Sequence, residues 1–96
     1  MKITEVRVRP VRREGKLKAV VSITIDDVFV IHNLKIIDGK KGLFLAMPSR
    51  KMSNGKFQDM AHPIFTETRE EIQATVLEKY NRMLEEGLPD DDGLEE

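Results

Sequence analysis

The chain has 96 residues, no cysteine and a formal net charge of −1 at pH 7, which indicates one small domain without disulfides or thiolate metal sites. No apolar run approaches the roughly 18 residues of a membrane span, and the first residues lack the apolar stretch of a signal peptide. These exclusions predict a cytoplasmic protein with no membrane partner.

The nearly neutral total charge conceals a strong asymmetry along the chain. Residues 1–84 carry all 16 basic residues and 10 acidic ones, whereas residues 85–96 carry seven acidic residues and no basic one. The contrast predicts a basic domain over residues 1–86 and an acidic, disordered tail over residues 87–96. Such a tail either competes for the basic surface or only keeps the protein soluble.

Alternating apolar and polar residues predict five strands joined by short turns. The predicted strands cover residues 3–11, 17–25, 28–37, 43–47 and about 56–61. Short connections such as Glu14-Gly15, Asp26-Asp27 and Asp38-Gly39 favour an antiparallel meander over parallel units with crossover helices.

One amphipathic helix is predicted after the strands, over residues 69–86. Thr68 and Glu71 have the spacing of a capping box, Gly87 suits the position after a helix, and Pro89 prevents continuation. An apolar stripe recurs at helical spacing. It consists of Ile72, Val76, Leu77, Tyr80, Met83 and Leu84. The predicted fold class is therefore α+β, a twisted antiparallel five-stranded meander followed by one C-terminal helix.

The third and fourth predicted strands are apolar on both faces, which bears on assembly. Val28, Val30, Leu34 and Ile36 alternate with Phe29, Ile31 and Ile37, and the fourth strand behaves likewise. Both faces then need cover, and one helix about 10 Å wide covers only one. We therefore expect a homodimer.

A basic loop is predicted between the fourth and fifth strands. Pro48 ends the fourth strand, Arg50 and Lys51 follow, and Lys56 comes directly after the tight-turn dipeptide Asn54-Gly55. Binding residues often lie in loops held by rigid strands, although a solubilising hairpin tip has the same composition.

The sequence contains no recognisable catalytic apparatus. No nucleophile elbow, phosphate-binding glycine loop or metal motif is present, so neither enzymatic activity nor a cofactor, a metal or a small-molecule substrate is expected. His32 is in phase with apolar strand residues and is interpreted as a core histidine. His62, beside Pro63, is expected to fix the entry to the helix by hydrogen bonding.

Several segments of the chain share their sequence with one known family. They are residues 7–9, 19–26, 29–32, 37–39, 42–49, 59–64 and 68–69, and the Met-Pro-Ser and His-Pro-Ile segments are the most specific among them. Together they resemble the stage V sporulation protein G (SpoVG) family, and the similarity runs without a gap from Met1 to about Tyr80.

The resemblance implies a dimeric cytoplasmic regulator that binds DNA, and in some members RNA, with site preference. It implies a link to sporulation, asymmetric septation and cell-envelope gene expression. Carried over residue by residue, it assigns nucleic-acid contact to Thr68 and Arg69, with Arg50 and Lys51 as partners in the loop.

The chain departs from the family at Glu71, where relatives commonly have a basic residue, and Glu70 lies beside it. Acidic residues here suit the helix dipole but repel a phosphate. Binding then depends on the loop cations Arg50, Lys51 and Lys56, or it is weak. The alternative function is a protein–protein adaptor in septation or cell-envelope control, whose basic surface meets an acidic partner.

Overall fold

The computed structural model describes residues 1–12 and 14–87, in which six strands precede one helix. They are β1 (Ile3–Pro10), β2 (Leu17–Ile25), β3 (Phe29–Gly39), β4 (Gly42–Ala46), β5 (Ser49–Lys51), β6 (Phe57–Asp59) and α1 (Thr66–Glu85). Strands β1 to β4 form one antiparallel sheet in chain order, and β5 pairs with β6 in a second sheet. The α+β class, the meander of the first four strands and the C-terminal helix are confirmed.

The turn between β2 and β3 is built on two aspartates. Asp26 and Asp27 have φ values of +54° and +59°, and the Val28 amide donates to the Ile25 carbonyl at 3.0 Å. Positive φ at both central residues is typical of a type I′ turn, whose backbone twist matches the twist of the two strands that it joins. Aspartate adopts positive φ more readily than most residues. The Asp26 side chain also ties the turn to the start of the chain, because its Oδ1 accepts from the Lys2 amide at 3.0 Å.

The predicted fifth strand does not join the main sheet, so the five-stranded meander is wrong. Residues 57–59 pair instead with residues 49–51 as an exposed hairpin. Pro48 explains the separation. It lies between β4 and β5 and has no amide hydrogen to donate, so the strand that pairs with β3 ends before it and a new strand begins after it. Its carbonyl accepts from the Met60 amide at 2.7 Å and thereby closes the base of the hairpin.

A β-bulge in β3 changes which side chains face the core. Val21 pairs with Leu34 and Ile23 pairs with Ile31, so one residue of β2 opposes two of β3. The extra residue, Asn33, has a φ of +70°. Beyond a bulge the alternation of side chains shifts by one residue.

The shift corrects two expectations drawn from strict alternation. Ile31 lies on the same face as Leu34 and packs against the core, whereas Val30 lies on the other face. His32 is exposed rather than buried, and its Nδ1 lies 2.9 Å from Ser22 Oγ in a hydrogen bond. The interpretation of His32 as a core residue is therefore wrong.

Replacing Asn33 with valine should lower the free energy of unfolding by about 1–2 kcal/mol, because a β-branched residue is strained at positive φ. Asn33→Gly should remain close to wild type, since glycine adopts this conformation without a steric penalty. Urea denaturation of both variants measures the difference. Equal stability of the two variants would show that the bulge is absent in solution.

The hydrophobic core lies between one face of the four-stranded sheet and the helix. Its members come from the sheet, from the segment that follows it and from one stripe of α1, which confirms the predicted helical stripe at Ile72, Val76 and Tyr80. Burial raises the pKa of the Tyr80 hydroxyl above its usual value of 10.0. The buried side chains are Val8, Ala19, Val21, Ile23, Leu34, Ile36, Leu45, Met47, Ile72, Val76 and Tyr80.

The predicted cap at the start of α1 is wrong, whereas the one at its end is confirmed. The helix begins at Thr66 with Phe65 as N-cap and no side-chain cap, so the capping box of Thr68 and Glu71 is wrong. Gly87 has a φ of +82° and its amide donates to the Leu84 carbonyl at 3.3 Å, which confirms its role at the helix end. Pro89 and the rest of the acidic tail, residues 88–96, lie outside the described residues.

Candidate nucleic-acid interface

The exposed hairpin of β5 and β6 carries three of the five candidate residues. Arg50 and Lys51 belong to β5 itself, rather than to a loop as predicted, and Lys56 directly precedes β6. The predicted tight turn is confirmed, since Gly55 has a φ of +88° and its amide donates to the Met52 carbonyl at 3.0 Å. Asn54 Oδ1 stabilises the turn by accepting from the Lys56 amide at 2.9 Å.

The hairpin register separates the two adjacent cations. Arg50 pairs with Gln58 and Lys51 pairs with Phe57, so their side chains leave opposite faces of the hairpin. One step closer to the turn, Met52 lies opposite Lys56, and the Met52 amide donates to the Lys56 carbonyl at 2.7 Å. By alternation Lys56 therefore shares a face with Arg50, while Lys51 lies on the face of Phe57.

Electrostatics distinguish the same two faces. Asp59 pairs with Ser49 and so lies on the Lys51 face. The opposite face carries Arg50 and Lys56 with no acidic residue of the hairpin beside them. Within residues 1–12 and 14–87, no carboxylate forms an ion pair with either cation. We call the side chains of Arg50, Lys56 and Gln58 the basic hairpin face.

The other two candidates, Thr68 and Arg69, lie in the first turn of α1 and are half-buried. They precede the core residue Ile72 by four and three positions, which places them next to the core-facing stripe. Glu67 occupies the same turn, whereas Glu70 and Glu71 are exposed in the second turn, because the helix begins earlier than predicted. The acidic residues still lie close to the helix end that would attract a phosphate.

The hairpin and the helix start are separate in the fold. They are connected through residues 60–65, and among the described residues no hydrogen bond or ion pair joins the two candidate groups. His62, within this connection, is exposed, and its Nδ1–H donates to the Pro63 carbonyl at 2.9 Å. The predicted hydrogen bond at the helix entry is confirmed.

Sequence reasoning missed a second cationic surface, on the face of the main sheet opposite the helix. Arg9, Val20, Lys35 and Ala46 form one row across all four strands of this face. Arg7 lies in the adjoining row and pairs with Glu5 at 3.0 Å. The alternation of Arg7, Val8 and Arg9 was the available signal, because buried Val8 fixes the arginines on the other face.

Two further searches concern membrane and metal sites. No helix formed by the described residues is long and apolar enough to cross a membrane. Across residues 1–12 and 14–87, no three histidine, aspartate or glutamate side chains come together in a group that could hold a metal ion.

The fold and its surface define a small α+β protein that displays cations on an exposed hairpin and on an open sheet face. The SpoVG family model matches residues 1–82, and the chain belongs to the SpoVG family. Three relatives carry the name "Putative septation protein SpoVG". That of Lachnospira eligens is 61% identical over 82 residues, covering 85% of this chain and 93% of the relative.

The other two relatives match over longer stretches of the chain. The protein of Agathobacter rectalis is 60% identical over 85 residues, covering 88% of this chain and 98% of its own length. That of Clostridium kluyveri is 51% identical over 96 residues and covers both chains completely. The family resemblance read from the sequence is confirmed.

Proposed function

We propose that this chain is a cytoplasmic, dimeric DNA-binding regulator linked to septation and sporulation. The link to septation rests on the names of its relatives. The proposal of DNA binding rests on one observation, the exposed basic hairpin face with Arg50 and Lys56 on the same side of two paired strands. Two cations on a rigid element, neither of them in an ion pair within residues 1–12 and 14–87, suit the phosphate backbone of a duplex.

Arg69 is the proposed second contact, with Thr68 beside it. Its side chain begins half-buried at the helix start, and the long aliphatic stem of arginine can reach solvent from such a position. Because Glu67, Glu70 and Glu71 surround this helix end, the hairpin supplies the larger share of phosphate contact. Lys51, on the opposite face beside Asp59, contributes less.

A second copy of the chain is proposed to cover the apolar segment that runs from Phe57 in β6 to Phe65, directly before the helix. Phe57, Met60, Ile64 and Phe65 are all exposed in the single chain. Single exposed apolar residues are common on protein surfaces, but four large ones within nine residues indicate an interaction surface. A dimer would also present two hairpins to one duplex, which doubles the phosphate contacts.

The proposal is tested by the dependence of duplex affinity on salt. Each phosphate neutralised by lysine or arginine contributes about 0.9 to the slope of log K against log salt. Arg50→Ala combined with Lys56→Ala should flatten that slope by about 1.8 for each chain that contacts DNA. Fluorescence anisotropy with an unrelated duplex, between about 50 and 200 mM salt, measures the change.

Two single variants serve as matched controls. Lys51→Ala removes a cation from the opposite face of the same hairpin, and Lys79→Ala removes an exposed cation from α1. Neither should change the slope by more than a few tenths. If the double variant keeps the wild-type slope and affinity, the basic hairpin face is only a solubilising tip. Absence of salt-dependent binding by the wild type would favour the adaptor function.

A further inference from the structure

The tip of the hairpin of β5 and β6 contains an asparagine followed directly by a glycine. Asn54 and Gly55 are both exposed, and a methyl group added at Gly55 would meet no atom within 4 Å. The backbone nitrogen of a residue that follows asparagine can attack the side-chain amide carbon, and glycine has no side chain to hinder this approach. The hairpin tip therefore holds the reacting groups of asparagine deamidation in an open position.

The reaction needs no catalyst, and water is its only co-reactant. The Gly55 nitrogen loses its proton and bonds to Asn54 Cγ, the bond from Cγ to the side-chain nitrogen breaks, and ammonia leaves. Water then opens the resulting succinimide ring at either of its two carbonyl groups. One opening gives aspartate, and the other gives isoaspartate, in which the main chain runs through the former side chain. Either product replaces a neutral amide with a carboxylate.

Two hydrogen bonds of the turn act on the reacting groups in opposite directions. The Lys56 amide donates to Asn54 Oδ1 at 2.9 Å, which stabilises the negative charge that develops on this oxygen during the attack. The Gly55 amide donates to the Met52 carbonyl at 3.0 Å, and this bond must open before the nitrogen can attack. The rate of the reaction therefore depends on how often the turn opens.

Opening of the turn requires little free energy, because the hairpin has little support. The strands β5 and β6 have three residues each, are exposed throughout and, among the described residues, pair only with each other. An isolated two-stranded hairpin is only marginally stable in water. Segments with few buried contacts open locally while the rest of the domain stays folded. The peptide group between Asn54 and Gly55 is thus released without unfolding of the main sheet.

The other two asparagines of the chain lack this combination. Asn33 lies in the bulge of β3 and is followed by the fully buried Leu34. Asn81 lies inside α1 and is followed by Arg82. In both cases the next residue has a side chain that hinders the attack, and a long strand or helix holds the backbone. These two asparagines are internal controls within the same molecule.

We propose that Asn54 is a self-modification site, whose deamidation places a negative charge on the basic hairpin and weakens its binding to duplex DNA. The effect on DNA rests on the proposed function, in which Arg50 and Lys56 contact phosphates. Asn54 Oδ1 already lies 2.9 Å from the Lys56 backbone nitrogen, so a carboxylate there offsets positive charge next to the proposed contacts. Because the reaction is slow and spontaneous, the DNA affinity of each molecule falls with its age.

Ageing of the purified full-length protein in mildly alkaline buffer tests the modification itself. Trypsin releases residues 52–56 as one peptide, and mass spectrometry should show that this peptide gains one mass unit over days. Mildly acidic buffer should slow the gain, because the attack requires loss of the amide proton. The peptides that contain the other two asparagines should keep their masses. A protein isoaspartate methyltransferase should label the aged wild type and leave aged Asn54→Gln unlabelled.

Asn54→Asp is the stable equivalent of one product and tests the effect on DNA. It should flatten the salt slope of duplex binding by up to about 0.9 for each contacting chain, which equals one lost phosphate contact. Asn54→Gln keeps a neutral amide and should keep the wild-type slope. Asn81→Asp adds the same charge on an exposed position of α1 and should also keep that slope. Fluorescence anisotropy with the duplex used for the hairpin variants measures all three.

The outcomes separate this proposal from the proposed function. An unchanged mass of residues 52–56, or an equal gain at the other two asparagines, would overturn the self-modification site. A wild-type slope in Asn54→Asp, or an equal loss in Asn81→Asp, would overturn the local effect on DNA, while the double variant of Arg50 and Lys56 still tests the proposed function. Absence of salt-dependent duplex binding by the wild type would reject the proposed function and the effect on DNA together. The mass measurement decides on deamidation in every case, since it involves no DNA.

Discussion

Leu34→Ala should lower the free energy of unfolding by about 3–5 kcal/mol. Leu34 is fully buried in β3 and pairs with buried Val21, with the α1 stripe closing the same core. Removing its side chain loses the transfer free energy of three carbons and leaves a cavity that a rigid sheet cannot close. Since a small domain is stable by only about 5–15 kcal/mol, the variant should be partly unfolded at 37 °C.

Val30→Ala is the matched control, because Val30 belongs to the same strand but lies on the sheet face opposite the core and is 45% exposed. Val30→Ala should lower the free energy of unfolding by less than about 1 kcal/mol. Urea denaturation followed by circular dichroism gives both values. The comparison also tests the bulge at Asn33, because strict alternation would place Val30 and Leu34 on the same face. If Leu34→Ala and Val30→Ala lowered the free energy of unfolding equally, the pairing register of β2 and β3 described above would be contradicted.

The strands of the main sheet were predictable because their ends carry explicit turn signals. Asp26-Asp27 and Gly42 adopt positive φ, as their residue types suggest, and the four strands between such turns follow the predicted order. The bulge was not predictable from alternation. Asn33 tolerates positive φ, but an asparagine inside an apolar strand is compatible with regular pairing until the opposite strand fixes the register.

The start of the helix shows a different limit. Thr68 and Glu71 have the right types and spacing for a capping box, yet the helix extends upstream to Thr66. Such a motif identifies residues that can cap a helix, but it does not determine where the first turn forms. Here the helix begins two residues before Thr68, with Phe65 as N-cap and no side-chain cap.

The sequence predicted which residues of the candidate site are cationic and exposed, but it did not predict which side of the hairpin each of them occupies. Arg50, Lys51 and Lys56 are exposed around the predicted Asn54-Gly55 turn, but Arg50 and Lys51 leave opposite sides of a strand that was expected to be a loop. The cationic face of the main sheet opposite the helix was missed because its cations come from β1 and β3, which are distant in sequence. Only the pairing register brings Arg9 and Lys35 into one row.

Ile64→Glu should convert the proposed dimer into a monomer, reducing the molecular mass from about twice 11.0 kDa to that of one chain. Ile64 is 86% exposed in the single chain, so the substitution should leave the fold and the melting temperature of the protomer unchanged. In the proposed dimer the same side chain is buried, and an unpaired carboxylate there carries a desolvation cost large enough to prevent association. Light scattering at micromolar concentration measures the mass.

Val28→Glu is the matched control, because Val28 is an equally exposed apolar residue, 83% accessible, at the turn between β2 and β3. It lies outside the proposed contact segment, so its variant should remain dimeric and should keep the wild-type salt slope for duplex DNA. The Ile64 variant should bind duplex DNA with about half the wild-type slope, since only one hairpin then contacts each site. A wild-type protein that is monomeric at micromolar concentration, or an Ile64 variant that stays dimeric, would show that the segment from Phe57 to Phe65 does not join two copies.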